Sequence, residues 1–147
     1  VILGPGDLYG SLLANAVVQG FPQALKQSSA KFIYIVNLMT HYSQTHQMSA
    51  SEHVQQVTEY CQRQPDIVII NHGEIPQKLA ERYAQNEEYP VKDDLKQESD
   101  SFEIIREDLV SSRTVERDPH DKLPRSLLRH DQQKLAELIY QLCLFFK

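Results

Sequence analysis

Lys31-Phe32-Ile33-Tyr34-Ile35-Val36-Asn37 and Asp66-Ile67-Val68-Ile69-Ile70-Asn71 decide the fold of this chain. Each is a nearly unbroken run of β-branched and aromatic residues, the pattern of a strand covered on both faces, as in a parallel sheet. Between them, Ser49-Ala50-Ser51-Glu52 has the S-x-x-E form of a helix start, and Val54, Val57, Thr58 and Cys61 follow at i, i+3, i+4 and i+7. Strand, helix and strand in succession make a parallel pair joined by a right-handed crossover.

The same alternation extends outward in both directions. Val1-Ile2-Leu3 reads as the tail of a strand, and after Gly4-Pro5-Gly6-Asp7 the stretch Leu8 to Val18 carries Leu8, Leu12, Leu13, Ala16 and Val17 at helical spacing. Downstream, Pro76 to Gln85 reads as a helix opened by proline in its first turn, with Leu79, Ala80 and Tyr83 inward. Asp93 to Asp100 is a polar loop, Phe102 to Val110 a charged strand, and residues 111–124 a charged excursion with two prolines. Asp131 to Phe145 closes the chain as a helix with Asp131 as N-cap and Leu135, Leu138, Ile139 and Leu142 as its inward stripe. The expected fold is α/β: a three-layer sandwich with a mainly parallel, Rossmann-like sheet.

The chain has 147 residues, 15 Lys+Arg and 20 Asp+Glu, for a net charge of -5. A protein that grips a nucleic-acid backbone carries a basic stripe, and this one has none, so nucleic acid is not an expected partner. No apolar run approaches the roughly 18 residues of a membrane span. Cys61 and Cys143 form neither a disulfide framework nor a C-x-x-C pair, and their helical, apolar surroundings predict buried, reduced thiols of a cytoplasmic protein. The six histidines contain no H-E-x-x-H arrangement, so no metal site is expected from them.

Three strands end in turn-forming sequence: Gly4-Pro5-Gly6-Asp7, Asn37-Leu38-Met39-Thr40 and Asn71-His72-Gly73. In a parallel sheet these ends share one edge, and ligands of open α/β sheets bind there. Gly4 and Gly6 permit close approach of the backbone to a ligand, and the helix N-terminus that follows favours an anion, to which Ser11 adds a hydroxyl. Asp7 fits an N-cap and opposes a phosphate. The amides of Asn37 and Asn71 either read a sugar or base edge or simply close turns, and Thr40 offers a hydroxyl close to the same edge. His72 and His130 stand beside the same edge, and Arg129 suits a bidentate phosphate contact.

At these residues the chain resembles the CofD-like (YvcK, gluconeogenesis factor) family. Gly4-Pro5-Gly6-Asp7-Leu8-Tyr9-x-Ser11 followed by Asn15 is similar to its G-P-G-[SD]-L-[YF]-T-S…P-N segment, and Asn37-Leu38-Met39-Thr40 to its N-L-M-T-Q-P-G-E-T motif. Ser51-Glu52-His53-Val54 resembles the D-H-[VL] helix start, and Arg129-His130-Asp131 with Lys134-Leu135-Ala136 the R-H-D-x-x-K-L-A ending. The resemblance implies that the chain is the carboxyl-terminal part of such a protein, without the glycine-rich loop of the amino-terminal half. It also implies a nucleotide or nucleotide-sugar ligand, such as a UDP-sugar, held by Gly4, Gly6, Asp7, Ser11, Asn15, Asn37, Thr40 and Arg129. Two activities go with the resemblance: a regulatory protein of central carbon metabolism or cell-wall synthesis, or a transferase akin to 2-phospho-L-lactate transferase that uses Mg²⁺. A third reading is an interaction module without a ligand of its own. An open sheet edge at Val1 gives a route to a homodimer. The family's Q-P-G-E-T stands here as His41-Tyr42-Ser43-Gln44-Thr45, which replaces a carboxylate by an amide at Gln44.

Overall fold

The structure, a computed structural model, describes residues 1–96, 101–112 and 127–146. Four strands, β1 (Ile2–Leu3), β2 (Ile33–Ile35), β3 (Ile67–Asn71) and β4 (Glu103–Glu107), form one sheet in sequence order, every neighbour parallel. The two apolar runs supply the central strands. The charged run supplies β4, half-buried along its middle at the edge of the sheet. The expected excursion over 111–124 lies, from residue 113 onward, outside the described residues, as does the end of the predicted loop at 97–100.

Side chains alternate across the sheet. Phe32, Tyr34, Val36, Val68 and Ile70 meet one layer of helices, and Ile33, Ile35, Ile67 and Ile69 meet the other. The first layer holds a π-helical segment, Leu8–Leu13, running into α1 (Ala14–Ala16), then α2 (Phe21–Gln27), the short α3 (Tyr42–Thr45) and α4 (Ala50–Cys61). The second is α6 (Gln132–Phe145), whose Leu135, Leu138, Ile139 and Leu142 cover the central strands as the spacing predicts. With α5 (Gln77–Ala84) beside the strand ends, this is the three-layer α/β sandwich, its sheet entirely parallel. No helix among the described residues is long and apolar enough to cross a membrane.

Both predicted caps form. The Ser49 N–H donates to the Glu52 carboxylate at 2.8 Å in a capping box, and Asp131 accepts from the N–H groups of Gln133 and Lys134 at 3.0 and 3.1 Å. Elsewhere the elements differ from the pattern. The first helix stops at Ala16, leaving Val17 and Val18 exposed, and it opens as a π turn because the Asp7 carbonyl accepts from both Ser11 and Leu12. Periodicity does not disclose α2, which a Gly20 in the left-handed region and Pro22 in the first turn set off as a separate element. Pro76 precedes α5 as its cap residue rather than forming its first turn.

Cys61 is buried in the first core layer, where burial pushes its thiol up to about 11. Cys143 corrects the expectation: it is exposed, because Leu142 takes the inward position and the next residue turns to the outer side of α6. Two polar side chains organise the connections. Arg63 donates to the carbonyls of Leu25, Ser28 and Ala30 and pairs with Asp66 at 2.9 Å, pinning the approach to β2. The buried Tyr83 hydroxyl accepts from the backbone N–H groups of Leu127 and Leu128, each at 2.9 Å. Tyr83→Phe removes the acceptor that both donors share, and we expect a loss of about 2 kcal/mol in urea unfolding at unchanged denaturant slope.

Candidate functional site

The carboxyl ends of β1, β2 and β3 form one edge, and the β1 turn is tightly built. Gly4 has φ +102°, and a Cβ on it would stand 2.8 Å from the Ile35 carbonyl oxygen of β2. At Gly6 a Cβ would meet the Leu12 side chain at 3.0 Å. Asp7 occupies the cap position without capping: its side chain makes no bond to the helix and instead its Oδ2 accepts from Gln44 Nε2 at 2.8 Å. A Cβ at Gly10 would stand 2.8 Å from the same Oδ2, so that glycine makes room for the pair. The amide that replaces the family glutamate thus donates to a carboxylate that a glutamate would repel.

Several expected ligand contacts are occupied within the chain. Asn15 Nδ2 donates to the Ser11 and Leu12 carbonyls at 2.7 and 3.3 Å, and Ser11 is exposed on the same helical segment. Thr40 is buried, its N–H donating to the Tyr89 carbonyl at 2.7 Å and its Oγ1 accepting from the Tyr89 N–H at 2.9 Å. Asn71 closes a turn, donating to the Gly73 carbonyl and accepting from the N–H groups of Gly73 and Leu109. Asn71 therefore takes its turn-closing alternative, and Thr40 ties its strand end to the distant Tyr89.

Asn37 does not. Its Oδ1 is buried without a hydrogen-bond partner among the described residues, and the residue lines a cavity of about 280 Å³ with Leu38, Ile70, Asn71, Gly73 and Ile75 among its walls. A larger depression of about 530 Å³ lies along the outer flank of α4 against Leu95 and Phe102, away from the strand ends. Position at the carboxyl edge, rather than volume, marks the first as the candidate site. Of the residues that the resemblance assigns to the ligand, Asn37 lines it, and Asn71, the other strand-end amide, lines it too.

Arg129-His130-Asp131 is held to the same edge. The Arg129 carbonyl accepts from Ser111 N–H at 3.0 Å, His130 bridges Val110, and the Asp131 N–H donates to the Leu109 carbonyl at 2.7 Å. The exposed Arg129 guanidinium makes no hydrogen bond among the described residues. The His130 ring lies near the backbone of Val36, and burial, outweighing the effect of that backbone group, lowers its pKa to about 4. Its Nε2 is buried and unpartnered among the described residues. Gln44 Oε1 is the third such atom along this edge, buried and unpartnered beside the β1 turn. His72, by contrast, is exposed, and its backbone N–H donates to the Glu107 carbonyl. From sequence, Gln44 stands out only as a departure from a motif, and the reach of His130 to β2 carries no local signal.

Among the described residues no group of three His, Cys, Asp or Glu side chains gathers to hold a metal ion. Asp7, whose Oδ2 already faces an amide, is not by itself a set of ligands for Mg²⁺.

Comparison with known proteins agrees with this architecture. The family model described as 2-phospho-L-lactate transferase CofD matches residues 1–110. A Thermotoga maritima protein named "Putative gluconeogenesis factor" is 34% identical over 145 residues, covering 95% of this chain and 42% of the relative. The gluconeogenesis factor of Halalkalibacterium halodurans is 33% identical over 143 residues, covering 96% of this chain and 41% of its own length. A crystal structure of a UPF0052 family member from Bacillus halodurans superposes with a TM-score of 0.79 at 30% identity, over 95% of this chain and 41% of that one. The chain thus spans about two fifths of the relatives it matches, and the match falls in their carboxyl-terminal part. From Gly4-Pro5-Gly6-Asp7 through β4, this chain belongs to the CofD family.

Proposed function

We propose that the carboxyl edge of this sheet binds a nucleotide-sugar, and that the chain is the ligand-binding part of a YvcK-type regulatory protein of central carbon metabolism or cell-wall synthesis in the cytoplasm. One observation carries the reading: Asn37, at the end of a central parallel strand, keeps a buried amide oxygen without a partner among the described residues, in a cavity at the place where such sheets take ligands. The cavity, about 280 Å³, suits a base or a single sugar rather than a whole nucleotide-sugar, leaving the phosphates outside it for a cation such as the exposed Arg129 guanidinium. The gluconeogenesis factors among the relatives support the regulatory setting.

Calorimetric titration of the chain with UDP-N-acetylglucosamine tests it. Binding is expected, weakened about tenfold or more by Asn37→Ala and by Arg129→Ala. No heat and no thermal shift at millimolar ligand would overturn the reading. The transferase name of the matching family model supports a second reading, an Mg²⁺-assisted transfer of a phosphorylated small metabolite. It requires turnover with guanylyl or uridylyl donors in the presence of Mg²⁺, and metal ligands beyond Asp7.

A further inference from the structure

Asn37 Oδ1 is closed to solvent, so a ligand that bonds to it must first displace part of the cavity wall. That wall has two unequal halves. On one side are Asn37, Leu38, Ile70 and Asn71, at the ends of β2 and β3, strands that the two main core layers hold in place. On the other are Ile75, Ala80, Pro90 and Val91, which belong to the chain between β3 and β4. From residue 72 to residue 91 a single side chain, Tyr83, is buried. Its ring joins Leu38, Met39, Val110 and Leu128 in a small cluster separate from the main layers. Its hydroxyl accepts from the N–H groups of Leu127 and Leu128, each at 2.9 Å. The ends of the stretch are tied differently, through hydrogen bonds close to the strands. Asn71 holds Gly73 through two of them, and Tyr89 exchanges two with Thr40 at 2.7 and 2.9 Å. A stretch with few buried contacts between two tied ends opens at a free energy below that of global unfolding.

We propose that residues 74–88, centred on α5, form a lid over the cavity, hinged at Gly73 and Tyr89, latched by Tyr83 on Leu127 and Leu128, and opening to admit a ligand to Asn37. The lid is a property of the fold, and its use by a ligand rests on the nucleotide-sugar reading above. Tyr83 does not line the cavity, so it acts on ligand entry through the balance of closed and open forms. The open fraction scales the apparent rate of association, and weakening the latch raises it.

Native-state hydrogen exchange of the unaltered chain under rising urea is the first test. The amides of Leu127 and Leu128 lie 44 and 45 residues beyond Tyr83, yet they should exchange together with those of α5. One shared opening of low urea dependence is expected, with exchange at least tenfold faster than in β3. Different opening free energies for α5 and for Leu127 and Leu128 would overturn the lid, as would exchange of both only together with β3. Stopped-flow association with UDP-N-acetylglucosamine then compares the unaltered chain with Tyr83→Phe, which keeps the ring and removes the acceptor. Association about tenfold faster in the variant is expected, and equal rates would overturn the gate. The exchange measurement needs no variant, so it carries the test if Tyr83→Phe fails to fold by circular dichroism. Shared exchange with no binding of this probe would overturn the nucleotide-sugar reading and leave the lid standing.

Discussion

Gly4→Ala should cost about 3–5 kcal/mol of folding free energy and lower the melting temperature by roughly 10 °C or more. Two effects add at this position. The backbone sits at φ +102°, where any side chain is strained, and the new Cβ would lie 2.8 Å from the Ile35 carbonyl oxygen. That oxygen belongs to a central strand buried on both faces, so it has no room to retreat. Gly20 provides the control: its φ is +88°, and no atom lies within 4 Å of the place a Cβ would take. Gly20→Ala should therefore show the torsional cost alone, about 1 kcal/mol. The difference between the two variants in urea unfolding reads the contact with β2, and equal losses would show that the close approach does not matter.

Acidification should destabilise the chain before its carboxylates titrate. Burial lowers the His130 pKa to about 4 in the folded state, against about 6.5 for an unperturbed histidine. The unfolded chain therefore takes up the proton first. The stability tied to His130 is complete above pH 6.5, declines as the pH falls through the window, and is gone near pH 4. Its size is about 3 kcal/mol by linkage. His53, buried in α4 with its pKa also lowered by burial, acts in the same direction. In unfolding measured between pH 7 and 4, His130→Phe should lose about 3 kcal/mol less than the unaltered chain. Parallel stability curves would show that the ring is solvated rather than buried.

The parts of this fold that the sequence discloses are those set by local periodicity. The runs at Phe32–Val36 and Ile67–Ile70, the capping box at Ser49 and the cap at Asp131 each depend on residues within a few positions of one another. What it hides depends on partners far along the chain. Arg63 is one more polar residue until it reaches the carbonyls of Leu25, Ser28 and Ala30. Asp7 has the composition of a cap, yet Gln44, distant in sequence, takes its carboxylate. The site divides in the same way. Placing Asn37 and Asn71 at strand ends needs only the strand pattern. That Asn71 is consumed by Gly73 and Leu109 while Asn37 is left open follows from packing around each amide, which spacing does not encode.

The strand pairings lengthen across the sheet, from two residue pairs between β1 and β2 to three between β2 and β3 and five between β3 and β4. Backbone protection should grade accordingly. In native-state hydrogen exchange, the amides of β1 should open at the lowest free energy and those of β3 at the highest. The carboxyl edge of the sheet straddles that gradient, with the Gly4–Asp7 turn on its labile side and Asn37 toward its durable side. A ligand that bridges them would slow exchange at β1 more than at β3, giving a residue-resolved signature of occupancy that needs no knowledge of the reaction.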